Sequence, residues 1–166
     1  MGREIRMVPE NWNHPKTKRY DYKEMRYCEV YQPMHDEPYI EALKEWTDNH
    51  ELWEKGKHPD QDKKYKYYAQ YGGDPPSIEY YRPNWKPKQM TWYQMYETVS
   101  EGTPVTPAFK TKKELVEYLV ENGDFWDQKR GHGGWKRESA EKFVNIGWSP
   151  SGMISNKGEF KTARDL

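Results

Sequence analysis

The side chains best suited to chemistry gather in one glycine-rich stretch, K-R-G-H-G-G-W-K-R at 129–137. Gly131, Gly133 and Gly134 free the backbone to turn several N–H groups toward one point, the geometry of an anion nest. Lys129, Arg130, Lys136 and Arg137 add positive charge, and His132 supplies a donor or an acid. A helix expected from Lys136 sets its N-terminus beside the loop, where an anion is favoured. Trp126 and Trp135 bracket the stretch, and Trp135 is expected at the surface. Lys129, Arg130, His132, Gly133, Gly134, Trp135 and Arg137 thus form a candidate site for a phosphate, a nucleotide or a nucleic acid. The pattern matches neither G-x-x-x-x-G-K-[ST] nor a G-x-G-x-x-G between a strand and a helix. The competing reading is a plain turn between two helices.

A second candidate lies upstream. Residues 55–88 carry eight basic and four acidic side chains, a local net of +4, among many Tyr, Pro and Gly. Cations interleaved with aromatic rings can pair with phosphates and stack on bases, and Tyr80, Tyr81, Arg82 and Trp85 are the binding candidates here. The stretch just before it is the opposite: residues 36–54 hold seven carboxylates and one lysine, a net of −6. The bland alternative is that these two stretches face and neutralise each other.

Other chemistries are poorly supplied. His14, His35, His50, His58 and His132 are scattered without a metal-ligand spacing, so no metal is expected. Cys28 is the one cysteine, which excludes an internal disulfide. Ser100, Ser139, Ser149 and Ser151 lack a nucleophile-elbow context. No catalytic residue and no cofactor is assigned, and a small enzyme is the third reading.

Several elements must position these residues. Thr111 and Glu114 make a capping box for a helix over 111–122, with Leu115, Tyr118 and Leu119 along its inner stripe and Asn122-Gly123 as its stop. A loop follows through Trp135, then a helix over about 136–146 with Ala140, Phe143 and Val144 inward. M-I-S-N-K-G-E-F reads as a hairpin around Asn156-Lys157-Gly158. Upstream, residues 36–55 read as a helix capped by Asp36, with Tyr39, Leu43, Trp46, His50 and Trp53 on one face. Residues 62–70 carry a short helix. Residues 89–100 fit a helix capped by Thr91, or equally a strand; helix is preferred. Strands are expected near Ile5–Val8 and over 26–31, and the flanking prolines favour edge strands or extended arms. Two helices followed by a hairpin also fit a winged-helix arrangement. The second helix, however, mixes Lys136, Arg137 and Lys142 with Glu138 and Glu141, a poor surface for reading DNA.

Composition sets the class. The 166 residues are 34% hydrophobic but 16% aromatic, so Tyr and Trp must build much of the core. Lys+Arg and Asp+Glu are both 27, which argues against an acidic mimic of nucleic acid and against a generally basic binder. The N-terminus has no apolar run for a signal peptide and no stretch is long enough for a membrane span, so a soluble protein in a reducing compartment is expected. The expected fold is α+β, a single mixed domain over 1–166 with three to four helices, a small antiparallel sheet or hairpins, and long irregular aromatic-rich loops. Its parts are an extended N-terminal segment (1–35), the basic aromatic loop (57–88), and a helix–loop–helix plus hairpin (103–166).

Some phrases carry a resemblance. R-E-I-R-M-V-P-E-N-W, W-Y-Q-M-Y-E-T-V-S-E-G-T-P-V-T-P-A-F, and L-V-E-Y-L-V-E-N-G-D-F-W with I-G-W-S-P-S are similar to a widespread group of small uncharacterised proteins of tailed phages and prophages. The resemblance spans most of the chain except the stretch around 57–75. It implies a phage accessory protein in the cytoplasm of the infected bacterial host, and it brings no catalytic residues with it. The expected function is non-catalytic binding that modulates or inhibits a bacterial macromolecule, such as a defence component (an anti-CRISPR or similar counter-defence protein). The expected partner is a bacterial protein or protein–nucleic-acid complex, with no membrane. The alternative is a nucleotide- or nucleic-acid-binding protein that uses the glycine loop.

Overall fold

The computed structural model describes residues 2–99, 101–154 and 158–165. In chain order the elements are β1 (Arg3–Pro9), β2 (Lys16–Asp21), β3 (Arg26–Tyr31), β4 (His35–Pro38), α1 (Tyr39–Glu54), α2 (Tyr68–Gly72), β5 (Tyr81–Arg82), β6 (Met90–Glu97), β7 (Thr103–Pro104), α3 (Lys112–Asn122), α4 (Phe125–Arg130), α5 (Arg137–Ile146), β8 (Trp148–Ser149), β9 (Met153–Ile154) and β10 (Phe160–Lys161). The fold is mixed α+β, with small, mostly antiparallel sheets, as the sequence predicts. Two compact units form, Met1–Pro33 with Lys86–Leu166, and Met34–Trp85. Among the described residues no helix is long and apolar enough to cross a membrane.

The larger unit is built on an antiparallel sheet of order β7-β6-β1-β8. β1 lies inside this sheet, between β6 and β8, so the expectation of an edge strand is corrected. Pro9 is tolerated because it falls at the strand's end, where the register shifts after Val8. β6 is a strand, which corrects the preferred helix over 89–100. Its Trp, Tyr and Thr residues favour the pleat, and β1 completes its ladder from Arg3 opposite Glu97 to Pro9 opposite Met90. Gln94, Met95 and Tyr96 are all buried, so both faces of β6 are covered. That double burial erases the period-2 alternation that would have marked a strand in the sequence.

Helices α3 and α5 pack on one face of this sheet. Leu115, Leu119, Phe143 and Val144 meet there with Met95 and Trp135. The predicted capping box is present: Glu114 N–H donates to the Thr111 hydroxyl at 3.2 Å, and Thr111 N–H donates to the Glu114 carboxylate at 3.0 Å. Residues 125–130 form a helix where a loop was expected, because Asp124 caps it. Its Oδ1 accepts from Trp126 N–H (2.7 Å) and Asp127 N–H (2.9 Å). α4 also separates α3 from α5, which removes the simple helix–turn–helix of the winged-helix reading. Strands β9 and β10 of the expected C-terminal hairpin are paired; Asn156 and Lys157 of its turn lie outside the described residues.

β2 and β3 form a separate two-stranded hairpin from Lys16 opposite Tyr31 to Asp21 opposite Arg26. Gln32 N–H closes its base on the Pro15 carbonyl at 2.9 Å. His14 is buried beside that base. Its Nε2–H donates to the Gln32 carbonyl at 2.7 Å, and Nδ1 shares a hydrogen bond with the Tyr96 hydroxyl at 3.0 Å.

In the smaller unit, α1 presents Trp46, His50 and Trp53 to Tyr68 and Tyr71 of α2. Trp46 stacks on His50 at 5.0 Å and Trp53 on Tyr71 at 5.2 Å. Asp36 does not cap α1. Pro38 occupies the N-cap position without a side-chain bond, and Asp36 in β4 pairs with Arg82 at 3.1 Å. The short helix is Tyr68–Gly72 rather than 62–70.

Candidate functional site

The glycine loop is wired from the inside. Asp127 of α4 is 9% exposed, and three neighbours converge on its carboxylate. Trp135 Nε1–H donates to Oδ2 at 2.6 Å, Arg164 Nη1 donates to Oδ1 at 3.2 Å, and His132 Nδ1 lies 3.6 Å from Oδ1. One capping aspartate over, Arg3 Nε donates to Asp124 Oδ2 at 2.7 Å, with both side chains buried. The two carboxylates that shape α4 also tie it to β1 and to the C-terminal segment.

Three of the loop's amides are taken up inside the chain. Gly131 N–H donates to the Gln128 carbonyl, His132 N–H to Asp127, and Trp135 N–H to Leu119. Two of the carbonyls are engaged by a cation. Those of His132 and Gly134 accept from Arg164 Nη2 at 2.6 and 3.1 Å. The loop therefore receives a guanidinium of its own chain, the opposite of the anion nest expected from its glycines. Gly134 is required for packing, since a Cβ there would sit 1.8 Å from the Val120 carbonyl oxygen. Gly133 is required only for its backbone, with φ +69 and open space around it.

The predicted site residues separate accordingly. Lys129, Arg130 and His132 are exposed, as expected. Lys129 and Arg130 lie over the Trp126 ring at 5.2 and 5.8 Å, so their charges rest on an aromatic face. Trp135 is 4% exposed and belongs to the core, against Phe143, so its expected surface position is corrected. Arg137 forms a bidentate pair with Glu117 at 2.8 and 2.7 Å. That contact lowers the Glu117 pKa and raises that of Arg137. In the smaller unit, Tyr81 stacks on His35 at 4.8 Å and Arg82 lies between Asp36 and the Trp85 ring, while Tyr80 is exposed. Tyr81 and Arg82 hold β5 beside β4.

A cleft of about 470 Å³ lies along Asp127, Arg130, His132 and Arg164. Its charges balance, with Arg3, Arg130 and Arg164 against Asp124, Asp127 and Asp165. Ser151 lines the same cleft but makes no hydrogen bond to His132 among the described residues. A second cleft, of about 370 Å³, is lined by Trp12, His14, Tyr31, Gln94, Tyr118 and Phe125. Burial holds the His14 pKa below its ordinary value; the Gln32 carbonyl pulls it up and nearby Arg6 adds to the fall. Among the described residues no group of three or more His, Cys, Asp or Glu is placed to hold a metal ion.

The most exposed tyrosine rings lie elsewhere. Tyr22, Met25 and Tyr27 of the β2–β3 hairpin are 82%, 71% and 70% exposed. Nothing in R-Y-D-Y-K-E-M-R-Y marks them as a surface beforehand, since the aromatic spacing fits a core strand equally well.

Compared with protein-family models, with curated proteins and with solved structures, the chain matches none.

Proposed function

We propose that this is a non-catalytic accessory protein that acts by binding a bacterial macromolecule and modulating or inhibiting it. One observation carries the reading. In the unit Met34–Trp85 helix α1 and residues 57–72 behind it are joined by rings, while the acidic and basic stretches meet in the ion pairs Asp36–Arg82 and Glu51–Lys55. Trp46, His50 and Trp53 pack on Tyr68 and Tyr71. None of Glu41, Glu45, Asp48, Glu51 and Glu54 pairs with Lys57, Lys63, Lys64 or Lys66 among the described residues. Asp48 and Glu51 pair only along the helix, with Lys44 and Lys55. Two faces of opposite sign therefore stay open on one small unit. Complementary potentials of this kind speed encounter and select the partner.

The resemblance to phage proteins supports action in an infected bacterial cell, and a defence component is the target class that fits an occupancy mechanism there. The test is affinity purification from infected cells with wild type and two charge-reversed proteins, Lys63→Glu/Lys64→Glu/Lys66→Glu and Glu41→Lys/Glu45→Lys. At least one reversed variant should lose a bacterial protein that wild type retains in near one-to-one amount. Equal capture by all three proteins would overturn the role given to these faces.

A further inference from the structure

In the β2–β3 hairpin two exposed tyrosine rings are held by a third, the carboxylates are paired, and, among the described residues, three of the five cations are not.

The turn is built by Asp21, whose Oδ1 accepts from Lys23 N–H (2.8 Å) and Glu24 N–H (3.2 Å), with Met25 at φ 51. Those two bonds also hold the Asp21 pKa below its ordinary value. Period-2 alternation places Lys16, Lys18 and Tyr20 on one face with Tyr27, Glu29 and Tyr31 opposite them. On that face Tyr20 packs edge-to-face with Tyr22 at 5.1 Å and with Tyr27 at 5.2 Å. Tyr22 and Tyr27 are thereby positioned while most of each ring stays in water. Rings already fixed in place lose little freedom when a base stacks on them.

The charges divide in the same way. Glu29 pairs with Lys16, Glu24 with Arg26, and Asp21 with the turn amides. Lys18 on the tyrosine face, Lys23 at the turn and Arg19 on the other face are exposed and form no ion pair among the described residues. We infer that the hairpin binds single-stranded nucleic acid, with bases stacking on Tyr22 and Tyr27 and phosphates meeting Lys18 and Lys23. A ribbon whose carboxylates are satisfied internally presents a phosphate chain with surplus cations rather than alternating signs. The inference names one contact within the binding function proposed above.

The test is fluorescence anisotropy with labelled oligo(dT) and oligo(U), with a DNA duplex as control. Wild type should bind the single strands at low salt more tightly than the duplex. Log affinity should fall against log salt with a slope of about −1.4 for two phosphate contacts. Tyr22→Ala/Tyr27→Ala should weaken binding by about tenfold or more, and Tyr22→Phe/Tyr27→Phe, which keeps the rings, should not. Lys18→Glu/Lys23→Glu should abolish it. No binding at low salt, equal binding of the duplex, or indifference to loss of the tyrosine rings would overturn the inference. Retained one-to-one capture of a bacterial protein in the infected-cell experiment would then leave the hairpin without this role and the wider binding function intact.

Discussion

The glycine loop and the β2–β3 hairpin have similar inventories and opposite outcomes. Each combines several cations with exposed or adjacent aromatic rings. In the loop the Gly131, His132 and Trp135 amides are bonded inward, Trp135 is core, and the carbonyls of His132 and Gly134 hold Arg164. In the hairpin the carboxylates are the groups consumed, and three cations and two tyrosine rings are left over. The lesson is that residue types in a stretch do not say what is free to act. The hydrogen-bond ledger does, because a donor already satisfied has little left to give a ligand.

The sharpest way to break this comparison is at the loop's glycines. Gly134→Ala should cost at least about 3 kcal/mol or prevent folding, because its Cβ would enter the Val120 carbonyl. Gly133→Ala should cost only about 1–2 kcal/mol, the penalty of a left-handed residue in open space. Urea unfolding of the two variants decides it; equal costs would mean that the loop does not pack on α3. Leu119→Ala, at the residue next to Val120, should cost about 2–5 kcal/mol as a fully buried leucine. Trp135→Phe should cost about 1.5–3 kcal/mol through the lost bond to the Asp127 carboxylate.

Smaller effects sharpen the hairpin side. The folded pKa of His14 lies below the 6.5 of the unfolded chain, so just under pH 6.5 the native state binds fewer protons than the unfolded state. Stability from this group is complete above about 6.5 and is lost as pH falls through 6.5 toward the folded pKa. His14→Asn should flatten that part of the stability–pH curve, measured by thermal melts from pH 5 to 8 (roughly the range in which histidines titrate). The smallest expected change is at the loop's surface. Lys129→Ala/Arg130→Ala should leave the melting curve and oligonucleotide binding as in wild type, since both charges rest on Trp126 at the surface.

Much of the helical part was legible because its signals are local. Thr111 and Glu114 announce α3, and Gly147 ends α5 with φ +81, as expected of a left-handed C-cap. The core residues Leu115, Leu119, Phe143 and Val144 follow from the same periodicity. What could not be read was set by distant partners. β6 is a strand because β1 pairs with it, and Trp92, Met95 and Tyr96 satisfy a helical spacing equally well. α4 begins at an Asp124/Asp127 cap, a shorter version of the usual box, and its acids are held by Arg3, 121 residues away from Asp124, and by Arg164. The burial of Trp135 has the same origin, since its ring packs on Phe143 and its Nε1–H bonds the Asp127 carboxylate. The glycine loop was chosen on its composition, and the residue that fills it, Arg164, lies 30 residues beyond Gly134.

The measurement that tests the central claim most directly is a titration of the purified protein against the bacterial target captured from infected cells, read as target activity. Binding by occupancy predicts that the effect saturates near one protomer per target site and tracks the bound fraction. Full effect at a small fraction of the target concentration, with turnover of a small molecule, would contradict it.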